Sequence, residues 1–231
     1  MKRFLGIVKF IGFIVLIVVI NRCPNLMITF QKQTPDGIRW AVALFYIMAV
    51  CVIIARIWKG YAKKLTDKQK QCRFTWKDFG IAVVFAVIVY LSNMFWTLII
   101  RWGIGASIAD LQAINQAGIE RLQQIVPLYF FVSHIMLTFF APIIEELIFR
   151  GYFHQTFFKG KGIWPPLLVS SFIFAILHTI IPIVLPIYFS MGALFFLAYY
   201  RRKNILDSIA VHMLNNSLVT VISMIYYFFL R

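Results

Sequence analysis

Ala141-Pro142-Ile143-Ile144-Glu145-Glu146-Leu147-Ile148-Phe149-Arg150-Gly151 puts two adjacent carboxylates at the end of a long apolar run, with a guanidinium four residues later. The run begins near Pro127, and the chain around it is built largely from Phe, Ile, Leu and Val. Of 231 residues, 61% are hydrophobic and only 13% are charged; mean hydropathy is +0.83. A soluble domain is about half apolar and about a quarter charged. Here the apolar residues come in blocks long enough to cross a bilayer, which takes about 20 residues per helix. The fold class is therefore all-α, a polytopic membrane helical bundle. One membrane domain, residues 1–231, uses the whole length.

Working outward from the quoted stretch, seven apolar segments read as transmembrane helices. They cover about 4–20, 38–58, 79–100, 127–149, 164–181, a sixth reaching Tyr200, and 205–229. Pro24, Pro35 and Asp36 mark residues 21–37 as a polar connection. Residues 101–124 are mixed and read as holding a short surface helix, and 151–162 reads as an interfacial turn. Pro182 and Pro186 bracket a tight connection between the fifth and sixth helices. The start resembles a signal peptide, but Asn21-Arg22-Cys23-Pro24-Asn25 is not a small-x-small cleavage site, so an uncleaved first helix is expected.

The net charge of +15 does not point to nucleic acid. Most Lys and Arg lie in short connections, where cytoplasmic positive charge orients a membrane protein. Lys2 and Arg3, the 56–77 stretch, the 150–161 turn and Arg201–Lys203 all fall on one side if seven helices start from a cytoplasmic N-terminus. No nucleic-acid partner is expected. Cys23, Cys51 and Cys72 have neither disulfide-framework nor zinc-site spacing. No Cys lies four from the end, so no prenylation box of its own is expected.

Few strongly polar groups remain inside helices 4 to 7: His134, Glu145, Glu146, Arg150, His178, His212, Asn215, Asn216 and, near one end, Asp207. A charged residue at mid-helix costs about 2.5–3.5 kcal/mol on insertion scales, so such residues face the bundle interior and by default mark a functional site. Glu146 and Arg150 stand four apart on one face and can pair. Glu145 is about 100° round the helix. His212 and Asn216 share a face of the seventh helix, and His178 lies one turn after Phe174 on the fifth. Each has a structural reading too: a locking ion pair, a core histidine, interhelical hydrogen-bond glue. Together they exceed what glue requires. His134 and His154 lack companions at helical spacing and read as structural, and Asp207 reads as a helix N-terminal charge.

A carboxylate and an imidazole beside one water form a general-base pair. A second imidazole and an amide can stabilise a tetrahedral oxyanion. That set suits peptide-bond hydrolysis without a covalent intermediate, and no Gly-x-Ser-x-Gly elbow or Cys–His pairing is visible. Zn²⁺ on Glu145, His178 and His212, with one open position, is the rival chemistry. The helical His-Glu-x-x-His pair is absent, and no single helix supplies two imidazoles.

Glu145-Glu146-x-x-x-Arg150, Phe174-x-x-x-His178 and His212-x-x-x-Asn216, in this order on successive helices, resemble the CPBP intramembrane protease family. This family includes type II CAAX prenyl endopeptidases and the bacteriocin-processing or bacteriocin-immunity (Abi) proteins. The likeness covers about residues 130–219, which divides the chain into variable N-terminal helices (1–126) and catalytic core helices (127–231). The resemblance implies a polar catalytic cavity between helices 4, 5 and 7. Glu145 would activate water with His178, and His212 and Asn216 would form an oxyanion hole. Glu146, Arg150 and Phe174 would support the site, Glu146 as an essential member. It implies no cofactor and, as partners, the lipid bilayer and a membrane-associated peptide or protein: a CAAX-type C-terminus, a leader peptide, a signalling peptide or a bacteriocin. The abundant Lys and Ile point to a bacterial plasma membrane.

A non-catalytic immunity or scaffold protein of the same fold is the main alternative, and a transporter is a weaker one, since broken helices and an internal repeat are not seen. One tension concerns depth. With these boundaries Glu145 lies about 6–8 Å from the end of helix 4, whereas His178 lies about 18 Å into helix 5. The two can meet if helix 4 continues past Phe149, if helix 5 starts deeper, or if both tilt; the expectation is that helix 4 continues, with residues 149–157 still helical.

Overall fold

The computed structural model describes residues 2–105 and 108–229. The described chain is helical, with α1 (Lys2–Thr29), α2 (Asp36–Ala62), a short α3 (Asp67–Gln71), α4 (Trp76–Ile104) and α5 (Ile108–Gln123). There follow α6 (Pro127–Phe157), α7 (Trp164–His178), α8 (Leu185–Arg202) and α9 (Ile205–Phe229). Among the described residues six helices are long and apolar enough to cross a membrane. The fifth predicted span, α7, has only 15 residues. That is about 22 Å of helix against a hydrocarbon core of about 30 Å. It stops at His178 because Thr179 and Ile181 are extended (Ile181 φ −86°, ψ 110°), as steric conflict with the following Pro182 requires of Ile181.

The expected loop at 21–37 is mostly helix. Pro24 sits inside α1 and has no N–H for the carbonyl of Ile20. Tyr46 of α2 supplies the missing donor, its hydroxyl 3.1 Å from that oxygen. A neighbouring helix thus repairs the break, and α1 runs about one and a half further turns, to Thr29, before Asp36 opens α2. The surface helix expected within 101–124 is α5; positions 106–107 of that stretch lie outside the described residues.

Helix α6 is the centre of the bundle. Half of its apolar window is buried, against a third or less in every other long span. The expected extension to 157 is present, and the turn is confined to 158–163. α6 widens into π-helix at Met136–Phe140 and Leu147–His154, either side of the turn carrying Glu145 and Glu146. The first widening lies next to Pro142, which cannot bond the carbonyl of Thr138 and whose ring crowds it. Phe10 of α1 packs on Phe149, Phe153 and Phe157 of α6. α8 packs on α7, α4 and α9.

Gly151 is where α2 meets α6. A Cβ there would lie 2.9 Å from Cδ2 of Tyr61 and 3.4 Å from Cδ1 of Ile205. Gly151→Ala is therefore expected to cost about 1–3 kcal/mol by overpacking, read as a lower midpoint of thermal unfolding in detergent. The cost should shrink in a Tyr61→Ala background; an equal cost there would rule out the Tyr61 contact as the cause.

All four basic segments gather at one end. Tyr152 donates to the carbonyl of Gly6 at 3.2 Å, and the ammonium groups of Lys9 and Lys64 stand over its ring. Arg202 donates to the carbonyl of Arg73 and Asn204 to that of Cys72. The Pro182–Val184 turn is at the opposite end of α8. Asp207 is in the first turn of α9 as expected, where Arg201 and Arg202 bind it.

Candidate active site

Glu145 and Glu146 lie on the α-helical turn between the two π segments and are 3% and 0% exposed. Their side chains diverge. Glu146 Oε2 is 3.0 Å from Arg150 Nε, and Arg150 is itself fully buried. Arg150 continues to α8, where Nη2 donates to the carbonyl of Gly192 at 2.9 Å. Glu146 Oε1 lies 3.2 Å from Nδ1 of His212 on α9. One carboxylate and one guanidinium thus tie α6 to α8 and α9 and neutralise each other.

Glu145 faces the other way. Its Oε1 accepts from Asn21 Nδ2 of α1 at 3.0 Å. Its Oε2 is buried with no hydrogen-bond partner among the described residues. That oxygen stands 3.7 Å from His178 Nε2 and 4.0 Å from His212 Nε2. These gaps exceed direct hydrogen bonding, and a separation beyond about 3.5 Å between polar groups suits a bridging water.

Both imidazoles are held. His178 Nδ1 is 2.8 Å from the carbonyl of Phe174 and donates to it, so in the neutral ring Nε2 is the acceptor and points at Glu145. The His178 ring stacks on Phe174 (centroids 4.0 Å) and on Tyr188 of α8 (5.2 Å). His212 stacks on Phe195 of α8 at 4.3 Å. His178 is the exposed member of the cluster, with 28% of its side chain accessible against 3% for Glu145 and His212. It therefore marks the side from which the site is reached.

The depth tension resolves as expected. Twelve residues of α6 follow Glu145 and fourteen of α7 precede His178, which is about 18 and 21 Å of helix. The structure brings together Glu145, Glu146, Arg150, Phe174, His178 and His212. Asn216 is one turn beyond His212, and its amide donates to the carbonyl of Leu137 at 2.8 Å within the first π segment. It does not bond directly to the glutamates or histidines. His134 and His154 serve structure: they bond the carbonyl of Phe130 and the hydroxyl of Tyr199.

The cluster predicted between helices 4, 5 and 7 has neighbours on two more helices. α1 contributes Asn21, and α8 contributes Tyr188, Phe195 and Gly192. Gly192 admits Ser171 and Phe174 of α7 to within 3.1–3.3 Å of where a Cβ would be. Asn21 was obscured because Asn21-Arg22 ends the hydropathic run. Its signal was periodicity: it lies four residues after Ile17 and on the face of α1 that also buries Phe10.

Glu145, His178 and His212 are the residues able to offer ligands to a zinc ion here. Ligands about 2.0–2.2 Å from a tetrahedral centre lie about 3.4 Å apart, closer than the 3.7 and 4.0 Å seen. No set of three His, Cys, Asp or Glu among the described residues is grouped to hold a metal ion.

Fold and site together define a multi-pass helical membrane protein with a buried glutamate–histidine cluster. The model for "Type II CAAX prenyl endopeptidase Rce1-like" proteins matches residues 127–218, which carry every site residue except Asn21. The chain is 26% identical over 219 residues to the membrane-embedded CAAX protease MroQ of Staphylococcus aureus (strain USA300), covering 90% of this chain and 83% of that one. It is 31% identical over 182 residues to the UPF0177 protein YaiH of Lactococcus lactis subsp. lactis (strain IL1403), covering 79% and 69%. No solved structure matches it. The chain belongs to the CPBP intramembrane protease family, a family of CAAX protease-like membrane peptidases.

Proposed function

We propose that this protein is a membrane-embedded endopeptidase that hydrolyses a peptide bond in a membrane-associated peptide or protein. The observation that carries the proposal is Glu145 Oε2, buried, without a hydrogen-bond partner among the described residues, and faced by two imidazole nitrogens. A water between them donates one proton toward Glu145 Oε2 and the other toward His178 Nε2. Glu145 takes a proton as the water oxygen attacks the carbonyl carbon. The C=O bond becomes C–O⁻, which His212 and the remaining amide proton of Asn216 stabilise. The Glu145 proton then passes to the leaving nitrogen as the C–N bond breaks.

Glu146 and Arg150 hold the site together without touching substrate, and the mechanism routes no step through a metal. Substrates are peptides cut near the membrane surface: a CAAX-type C-terminus, a leader or signalling peptide, or a bacteriocin. MroQ, named as a CAAX protease, supports the first class. We place the protein in a bacterial plasma membrane with its N-terminus and basic end in the cytoplasm, following the distribution of Lys and Arg.

Purified protein and His178→Ala, both folded by thermal unfolding, should be incubated with a membrane-peptide library and read by mass spectrometry. Loss of cleavage in the variant is expected, and undiminished cleavage would refute the pairing of His178 with Glu145. Elemental analysis of the same preparation decides the metal question. Full activity at sub-stoichiometric zinc is expected; activity that tracks zinc content would move Glu145, His178 and His212 to ligand roles. A protein that protects cells from a toxic peptide without cleaving it, and still does so as Glu145→Ala, would be the non-catalytic immunity protein instead.

Asn21→Leu removes the hydrogen bond to Glu145 Oε1. A hydrogen bond to a charged group contributes about 1.5–3 kcal/mol, so turnover should fall about 10- to 100-fold with little change in KM. A changed KM at constant turnover would make Asn21 a substrate-binding residue.

A further inference from the structure

A large concavity lies away from the glutamate–histidine cluster. It occupies about 1360 Å³ at the basic end, between the 64–72 segment, the turn after α6 and the α8–α9 connection. Its walls carry Lys64, Lys68, Lys159, Lys161 and Lys203, together with Arg201 and Arg202. No Asp or Glu lines it. The two arginines are already neutralised: Asp78 and Asp207 bind both at 2.6–3.0 Å. The five lysines have no carboxylate within ion-pair distance among the described residues. Burial lowers Lys203 to about 8. Burial and then Lys9 lower Lys64.

Positive charge that only orients a membrane protein has no reason to converge. Exposed lysines at helix ends can splay into water and repel one another freely. Here separate chain segments are fastened so that they converge: the hydroxyl of Tyr199 near the end of α8 lies 3.2 Å from His154 Nδ1 near the end of α6, and three more bonds join the 69–73 stretch to 202–204. Gln69 donates to the carbonyl of Lys203 at 3.4 Å, Asn204 to that of Cys72 at 3.1 Å and Arg202 to that of Arg73 at 3.3 Å. The floor is different in character: Tyr200 and Phe158 give it an aromatic surface. Cationic walls over an aromatic floor, where α8 ends and α9 begins, match an amphiphile with a negative head.

We propose that this cavity binds the phosphate of an anionic ligand, with an acidic phospholipid headgroup at the bundle end as its source. Basic pockets between membrane helices hold such headgroups, and each Lys or Arg near a charged surface contributes about 1 kcal/mol, or about fivefold in affinity. The lysines hold the phosphate and the aromatic floor takes the adjoining glycerol and upper chain. The site is independent of the peptidase reading, because none of its residues touches Glu145, His178 or His212.

The test uses the purified full chain in neutral detergent, with thermal unfolding followed against dioctanoyl-phosphatidylglycerol, dioctanoyl-phosphatidylcholine and inorganic phosphate. Saturable stabilisation by phosphatidylglycerol and not by phosphatidylcholine is expected. Lys159→Gln/Lys161→Gln/Lys203→Gln should weaken it about a hundredfold, the product of three fivefold losses. Arginine at the same three positions should restore it, which excludes a folding defect, and Lys32→Gln at the opposite end should leave it unchanged. Inorganic phosphate acting alone at the same concentrations would support the anion site with a soluble source in place of lipid. Equal stabilisation by phosphatidylcholine, no stabilisation by any ligand, or binding that survives the triple glutamine change would overturn the proposal.

Discussion

Glu145→Gln is expected to abolish measurable peptide cleavage while leaving the protein folded. The amide is nearly isosteric with the carboxylate, and its carbonyl oxygen can still accept from Asn21 Nδ2, now 3.0 Å away from Oε1. What the amide cannot do is take a proton from water. Losing a positioned general base costs about 10²- to 10⁴-fold in rate. The residual rate would come from the oxyanion donors and from substrate positioning, which survive loss of a catalytic group in other hydrolases. The measurement is single-turnover cleavage by mass spectrometry beside a thermal unfolding curve. Cleavage within tenfold of the unaltered protein, with an unchanged curve, would show that Glu145 is not the base.

The second large effect concerns Arg150. Arg150→Met removes the partner of Glu146 in a place where neither side chain is exposed. Breaking a buried pair by deleting one member typically costs about 3–5 kcal/mol, because a charge is left buried without compensation. The variant should therefore express poorly and unfold at a much lower temperature. Replacing both members is a different experiment, since a buried pair exchanged for neutral groups of similar volume is often neutral in stability. Glu146→Gln/Arg150→Met should regain most of the lost stability. Its activity separates two roles. Recovery of folding without cleavage would make the Glu146–His212 contact, 3.2 Å in the structure, a requirement for turnover. Recovery of both would reduce the pair to a structural lock.

Much of the site was legible in the chain because a bilayer makes polar residues conspicuous. Glu145, Glu146, Arg150, His178 and His212 stand out against apolar runs, and helical periodicity sorts them into faces. The same logic yielded the extension of α6, the expected one of the three ways (extension of that helix past 149, a deeper start of the next, or tilt of both) in which Glu145 and His178 could share a site. The misreadings have physical causes as well. Pro24 is a sound helix-breaking signal, but Tyr46 supplies the donor for Ile20 that the proline lacks. The fifth predicted helix ended early because Pro182 acts on the residues before it. Asn216 fits a recognisable pattern, yet its amide is bonded to Leu137, a carbonyl that no motif could nominate.

By itself the sequence determined that this is a helical membrane protein, where its apolar segments lie, that its cations cluster in a few connections, and which ionisable groups enter the bilayer. All of these follow from the cost of transferring single residues and from a period of 3.6, both of which are local. Only the tertiary structure decided that Asn21 reaches Glu145 across 124 positions, that Phe195 and Tyr188 brace the imidazoles, and that Gly192 receives Arg150. It also decided that three basic segments form one cavity. Such contacts join residues with no fixed separation along the chain, so no spacing rule encodes them. They exist because the helices pack to native density around α6, and that packing selects which side chain meets which.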